Sequence, residues 1–174
     1  MVSKSIENHA QRILEEMKIK RPAVNVEKIA KERGLKVLPY ELGDDVSGVL
    51  YVDKGKGTIG YNPTESEVRR RFTIAHELGH YELHRLNKEI FVDNKQFKVL
   101  FRDQRSSTGE VIIEQEANAF AAALLMPKHL LTKEIAKKQI DLSDDNSDVI
   151  KELAAKFKVS SQAMTFRIAN LNLV

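Results

Sequence analysis

The stretch from Arg71 to His84, RFTIAHELGHYELH, places the strongest limit on how this chain can fold. Its apolar residues recur at helical spacing, which predicts an α-helix with one buried face. His76 and His80 are four residues apart, so on a helix they lie on one side and about one turn apart. Their imidazole nitrogens can therefore bind one metal ion, and the fold has to bring a further ligand to this helix.

Glu77 directly follows the first histidine, so its side chain projects from the helix in a direction adjacent to that of the histidines. It is therefore predicted to act on water as a catalytic base rather than to bind the metal. Zinc lowers the pKa of a water that it binds to about 7, so a nearby carboxylate can take up the proton at neutral pH. The same pattern arises by chance in charged helices, but apolar flanks indicate a helix that is buried beneath a site. Gly79 predicts a close approach by another element, because glycine inside a helix costs about 1 kcal/mol relative to alanine.

The third ligand has to come from His, Asp or Glu, because the chain contains no cysteine. His84 continues the histidine series, but an uninterrupted helix places it about 12 Å along the axis from His76. That separation is too large for one ion to bind both side chains. We therefore interpret His84 as a histidine that lies behind the metal or in the core.

The alanine-rich segment at residues 111–126 is the better source of the third ligand. It predicts a helix whose small residues let a second helix come close. Glu114 and Asn118 share one stripe of this helix, so Glu114 is predicted to bind the metal and Asn118 to orient a histidine. Glu116 lies about 160° from Glu114 and is predicted to face solvent. Glu110 is the alternative ligand.

The remaining segments predict an α+β fold. Residues 35–40 predict a strand, and alternation over residues 42–62 predicts a β-hairpin beside the motif helix. An exposed edge of this small antiparallel sheet could bind an extended peptide by strand addition; the equal alternative is that the hairpin only covers the core. Asn25 and Gly34 are predicted to begin and end a short helix, and Thr64 to cap the motif helix. Further helices are predicted at residues 5–17, 128–138, 149–157 and 160–171.

Two parts of the site stay open at this stage. Residues 87–110 show no clear period, and a loop of this length predicts a mobile segment near the site. The group that would stabilise the oxyanion is equally open, with Tyr51, Tyr61, Tyr81 and His84 as unranked candidates.

The two helices at residues 149–171 are spaced like a helix-turn-helix. Such a motif would expose Ser161, Gln162, Thr165 and Arg167 to a major groove. Few positive charges follow Lys158 for contact with phosphates. We therefore favour packing on the rest of the protein, or holding a protein substrate, over direct binding of nucleic acid.

Composition narrows the class of protein. The 174 residues suffice for one domain with a small appendage, and the net charge of +3 does not require nucleic acid as a partner. Residues 1–20 carry charges throughout, so they predict neither a signal peptide nor a membrane span. A cytoplasmic protein is the simplest expectation.

The motif helix and the segment EQEANAFAAALLMP that follows it together resemble the ImmA/IrrE family of metallopeptidases. The resemblance extends from about Val24, through Ser47–Leu50, to at least Pro127. It implies a zincin-like fold with one zinc ion, or another divalent metal, at the H-E-x-x-H helix. It also implies an intracellular protease whose substrate is a DNA-binding repressor of phage type.

By this resemblance His76, His80 and Glu114 would be the metal ligands and Glu77 the catalytic base. We expect residues 1–138 to form a zincin-like metallopeptidase domain, and residues 139–174 a C-terminal helical hairpin packed on it. The expected function is zinc-dependent endopeptidase. The alternatives are a regulatory binding module with a structural metal, or a toxin component of a two-gene locus. A structural metal has no need of a carboxylate such as Glu77 beside an open coordination position.

Overall fold

The computed structural model describes residues 4–43, 45–85, 90–94, 109–137 and 147–173. The fold is α+β, as predicted, with a four-stranded sheet and with helices before, between and after the strands in the sequence. The helices are α1 (Lys4–Glu16), α2 (Val26–Glu32), α3 (Glu67–His84), α4 (Gly109–Leu125), α5 (Lys128–Ile135), α6 (Ser147–Phe157) and α7 (Ser161–Asn170). The strands are β1 (Lys36–Pro39), β2 (Val46–Asp53), β3 (Lys56–Tyr61) and β4 (Ile90–Asn94).

The chain divides into two compact units. One is continuous, Asn25–Ala121, and contains α2, the sheet, α3 and most of α4. The other combines Met1–Val24 with Ala122–Val174. The expected boundary between residues 138 and 139 lies outside the described residues and stays a prediction. No helix of the described residues is both long and apolar enough to cross a membrane.

The sheet has the strand order β1-β3-β2-β4 and is built on the predicted hairpin. β2 and β3 are antiparallel, and Lys54 and Gly55 between them have φ of 46° and 79°. Two successive residues with positive φ form the type I′ turn that suits the twist of a hairpin. β4 pairs antiparallel with the other side of β2.

The expectation of a wholly antiparallel sheet is wrong at β1, which runs parallel to β3. A parallel pair requires a crossover connection, and here β2 with the loop before it supplies that connection. From Gly48 to Asp53, β2 alternates as predicted, whereas Ser47 and Gly48 are successive buried residues. Leu50 and Ile59 on one face are fully buried, whereas Tyr51 and Leu38 on the other are about half exposed.

Helix α3 is buried continuously from Thr73 to Tyr81. It lies against the sheet on one side and against α4 on another. A Cβ added to Gly79 would lie 3.1 Å from both the Cα and the carbonyl oxygen of Ala117. The close approach predicted from Gly79 is therefore confirmed.

The start of α3 differs from the prediction. Ser66 is the N-cap, and its side chain accepts a hydrogen bond from the backbone N–H of Arg69 at 3.2 Å. Thr64 lies two residues before this N-cap, and its N–H and its hydroxyl both donate to Asn62 Oδ1. Asn25 caps α2 as predicted, by accepting from the N–H of Lys28.

The discontinuous unit contains α1, α5, α6 and α7, and Arg167 of α7 is buried in it. The Arg167 guanidinium donates to both carboxylate oxygens of Glu7, at 2.9 and 2.6 Å, and to the carbonyl of Met126 at 2.9 Å. The expected exposure of Arg167 is therefore wrong, because this position shares the buried stripe of α7 with Met164 and Ile168. Ser161, Gln162 and Thr165 are exposed as expected.

Candidate metal centre

His76 and His80 of α3 meet Glu114 of α4 inside the continuous unit. Their facing ligand atoms all lie within 4.8 Å of one another. His76 Nε2 is 3.0 Å from His80 Nε2 and 3.1 Å from Glu114 Oε2, and His80 Nε2 is 3.2 Å from Glu114 Oε1. The structure thus brings together the three residues that the sequence nominated as ligands.

These distances fit a small divalent cation. In a tetrahedral zinc site with ligands at about 2.0–2.1 Å, neighbouring ligand atoms are about 3.3 Å apart. The three separations observed here, between the two imidazole nitrogens and from each nitrogen to one oxygen of the Glu114 carboxylate, are 3.0 to 3.2 Å and so are close to that value. Two imidazoles and one carboxylate are also a donor set that zinc accepts, with a further position left for water or substrate.

Asn118 orients His76. Its amide oxygen is 3.1 Å from His76 Nδ1, one turn along α4 from Glu114. When Nδ1–H donates to this oxygen, the lone pair of Nε2 faces His80 and Glu114. The predicted position of Asn118 beside a metal-site histidine therefore agrees with the structure.

His80 is held differently, by ring stacking. The ring of Phe91 in β4 lies 4.6 Å from the His80 ring at an interplanar angle of 20°. His80 Nδ1 is buried and has no hydrogen-bond partner among the described residues. Sequence analysis missed Phe91 because residues 87–110 had no clear period, although Ile90-Phe91-Val92 is a run of strand-forming residues. The other residues of that predicted loop, 87–89 and 95–108, lie outside the described residues.

Electrostatics favour the protonation states that bind a metal. Burial raises the pKa of Glu114, but hydrogen bonding and charge interaction with His76 and His80 outweigh it and lower the pKa to about 2. Burial lowers the pKa of His80, against an opposing effect of its hydrogen bond with Glu114. The carboxylate is thus charged and the imidazole neutral near neutral pH, which are the forms that coordinate.

The side chain of Glu77 lies against strand β2 of the sheet. It is fully buried, and its Oε1 lies beside the backbone of Gly48 in β2. This agrees with the sequence-based expectation that Glu77 leaves α3 on a different bearing from His76.

His84 is buried and is not among the three converging side chains, as expected. Its ring lies 5.8 Å from that of His80, and its Nε2 is 3.5 Å from Glu116 Oε2. Burial lowers the pKa of His84, and the charge of Glu116 opposes the shift. Glu116 was expected to face solvent; its side chain is 41 % exposed, and its carboxylate reaches back to His84. The side chain of Glu110 lies outside the described residues.

The tyrosines nominated for oxyanion stabilisation are placed differently from one another. The Tyr81 hydroxyl donates to the carbonyl of Gly55 at 3.3 Å, in the hairpin turn. Tyr51 lies on the outer face of the sheet. Of the nominated residues, His84 is the one for which a ring contact with a ligand candidate is seen.

Two known proteins resemble this chain, one in sequence and one in structure. The chain is 29 % identical over 124 residues to "Uncharacterized immunity region protein 2" of Bacillus phage phi105, covering 71 % of this chain and 69 % of that protein. In structure it is similar to a Mycobacterium tuberculosis transcriptional regulator, with a TM-score of 0.67 and 19 % identity. That match covers 95 % of this chain but 46 % of the regulator, so the chain spans about half of the longer protein.

The sequence pattern of the peptidase M78 family, described as the IrrE N-terminal-like domain, matches residues 30–169. The match includes the H-E-x-x-H helix and the helix that carries Glu114. It confirms the resemblance to the ImmA/IrrE proteins, and the family implies a bound metal. The chain therefore belongs to the IrrE N-terminal-like family of metallopeptidases.

Proposed function

We propose that this protein is a zinc-dependent endopeptidase in which His76, His80 and Glu114 hold the ion. The observation that carries the proposal is the convergence of two imidazole nitrogens and one carboxylate between α3 and α4, with contacts of 3.0 to 3.2 Å. Membership in a metallopeptidase family supports the same assignment. Zinc would supply a Lewis acid that polarises the scissile carbonyl and makes a bound water more acidic.

Glu77 is the proposed catalytic base. It takes a proton from the attacking water and later passes it to the leaving amine. Asn118 holds His76 in the tautomer that turns its Nε2 towards the ion, and Phe91 holds the plane of the His80 ring. These contacts keep the ligands in place, so that little reorganisation is needed when substrate binds.

The proposed substrate is a protein that presents an extended segment to β4. This strand is one of the two edge strands of the described sheet, and its Phe91 contacts His80, so a chain paired with β4 would pass the metal centre. The phage immunity-region protein among the relatives supports a regulatory target. We propose a DNA-binding repressor, cleaved in the cytoplasm.

The test pairs metal content with cleavage of a repressor encoded next to the gene for this protein. Wild type is expected to carry about one zinc and to cleave. Glu77→Gln should keep zinc and lose cleavage by at least about a hundredfold, because a general base contributes about 10²–10⁴-fold. Glu67→Gln makes the same change on the exposed first turn of α3 and should behave as wild type.

Two results would contradict the proposal. If wild type and Glu77→Gln both carry zinc and neither cleaves the repressor or a library of unfolded peptides, a binding module with a structural metal is the better reading. If neither protein retains metal after zinc is supplied, the ligand set of His76, His80 and Glu114 is wrong.

A further inference from the structure

A β-bulge in β2 turns two successive residues towards α3. The pairing of β2 with β4 shifts between Val46 and Gly48, so Ser47 is the extra residue. Ser47 is fully buried, and its hydroxyl donates to Glu65 Oε1 at 3.1 Å and accepts from Arg69 Nη2 at 2.6 Å. These two hydrogen bonds fix the position of β2 relative to the start of α3.

Gly48 consequently lies over the next two turns of α3, at Thr73 and Glu77. A Cβ added to Gly48 would overlap with Thr73 Cγ2 and would lie 3.1 Å from Glu77 Oε1. Gly48 does not have a positive φ, so its backbone conformation is open to any residue. What requires glycine at this position is the space taken by two side chains of α3.

Thr73 and Glu77 leave each other little room to move. Both side chains are fully buried, and a threonine on a helix has only two well-populated χ1 rotamers. The backbone of β2 at Gly48 therefore forms a wall on the side of the Glu77 carboxylate that faces the sheet. A methyl group on this wall would push the carboxylate by a few tenths of an ångström.

We propose that Gly48 is a positioning residue for Glu77, setting where its carboxylate stands beside the metal centre. The inference rests on the proposed function, in which Glu77 is the catalytic base. Proton transfer depends steeply on distance, so a small displacement lowers the rate without removing the group. A glycine needed for packing alone would act through Thr73, and its replacement would change stability without changing Glu77.

The two roles can be separated because Thr73 can be trimmed. Thr73→Ser removes the methyl group that overlaps and keeps the hydroxyl. In Gly48→Ala alone, the added methyl group would contact both Thr73 and Glu77, so this variant is expected to be less stable than wild type. Gly48→Ala combined with Thr73→Ser retains only the contact with Glu77. Thr73→Ser alone is the matched control.

The measurements use zinc-loaded protein and include one that needs no peptide substrate. Acetohydroxamate is the probe, because it chelates zinc and also hydrogen-bonds to a carboxylate that lies beside the ion. We expect Thr73→Ser to bind it as wild type does. The double variant should unfold at a similar urea concentration and hold zinc with similar affinity, yet bind acetohydroxamate about tenfold more weakly. With a cleavable peptide, kcat of the double variant should fall about tenfold while KM stays within about twofold.

The proposal is overturned if the double variant binds acetohydroxamate within about twofold of wild type, since Gly48 would then act through Thr73 alone. It is also overturned if the double variant fails to fold or to bind zinc, because a single contact with Glu77 should do neither. If wild type cleaves no peptide, the proposed function fails, whereas acetohydroxamate binding still decides the role of Gly48.

Discussion

Asn118 gives the sharpest test of how the metal centre is built. Replacing it with alanine removes the oxygen that lies 3.1 Å from His76 Nδ1. His76 is 1 % exposed, so its Nδ1–H has little access to bulk water once the acceptor is removed. The metal-bound state then has to keep a buried N–H without a partner, whereas the metal-free imidazole can change its tautomer.

The expected loss follows from that asymmetry. An unsatisfied buried donor costs about 1–3 kcal/mol. If this whole cost falls on the metal-bound state, Asn118→Ala binds zinc about 10–100-fold more weakly than wild type. That range is typical for groups that hydrogen-bond to metal ligands. Asn118→Asp keeps an acceptor at the same distance and adds negative charge, so it should bind zinc at least as tightly as wild type.

Competition with a chromophoric chelator at fixed pH and ionic strength measures all three affinities. Circular dichroism of the metal-free proteins would establish that the variants are folded. The reasoning is refuted if Asn118→Ala stays within about threefold of wild type. It is equally refuted if Asn118→Asp is as weak as Asn118→Ala, because the amide oxygen would then not be the relevant group.

Three further outcomes are expected. Phe91→Ala removes the ring stacked on His80 and should weaken zinc binding about tenfold in the same competition assay, whereas Ile90→Ala, on the exposed face of the same strand, should not. Arg167→Ala leaves Glu7 and a helix-end carbonyl without their donor and should lower the free energy of unfolding by about 3 kcal/mol in urea. A loss below about 1 kcal/mol would contradict this, and zinc affinity should not change. For the metal-free protein, Glu114 has a pKa of about 2 against an ordinary value of 4.5. Its ionised carboxylate therefore stabilises the fold above pH 4.5, and this stabilisation is lost as the pH falls towards 2. Glu114→Gln should flatten the dependence of stability on pH in that window, and an unchanged curve would show that the carboxylate is not held by the histidines.

The residues of the candidate metal centre could be predicted from the sequence because their arrangement is local. The spacing of His76 and His80 fixes their relation on one helix, and the stripe shared by Glu114 and Asn118 does the same on another. The small residues around Ala117 indicated that two helices come close. Only the pairing of these two helices had to be assumed.

Other features depended on parts of the chain that sequence spacing does not connect. Arg167 carries a charge and was expected outside, but its partner Glu7 is 160 residues away. Thr64 was predicted to cap α3, but its hydroxyl donates to Asn62 and the N-cap is Ser66. The ring contact of Phe91 requires the register of β4 on β2, which local periodicity does not specify.

The two histidines of the site are restrained in unequal ways. A hydrogen bond fixes the direction of the His76 ring, whereas a stacked ring fixes only the plane of His80. His80 can therefore slide within its plane at little cost, while His76 cannot. Ions of different radius would be accommodated mainly by movement of His80, so a series of divalent metals should displace one imidazole and leave the other in place.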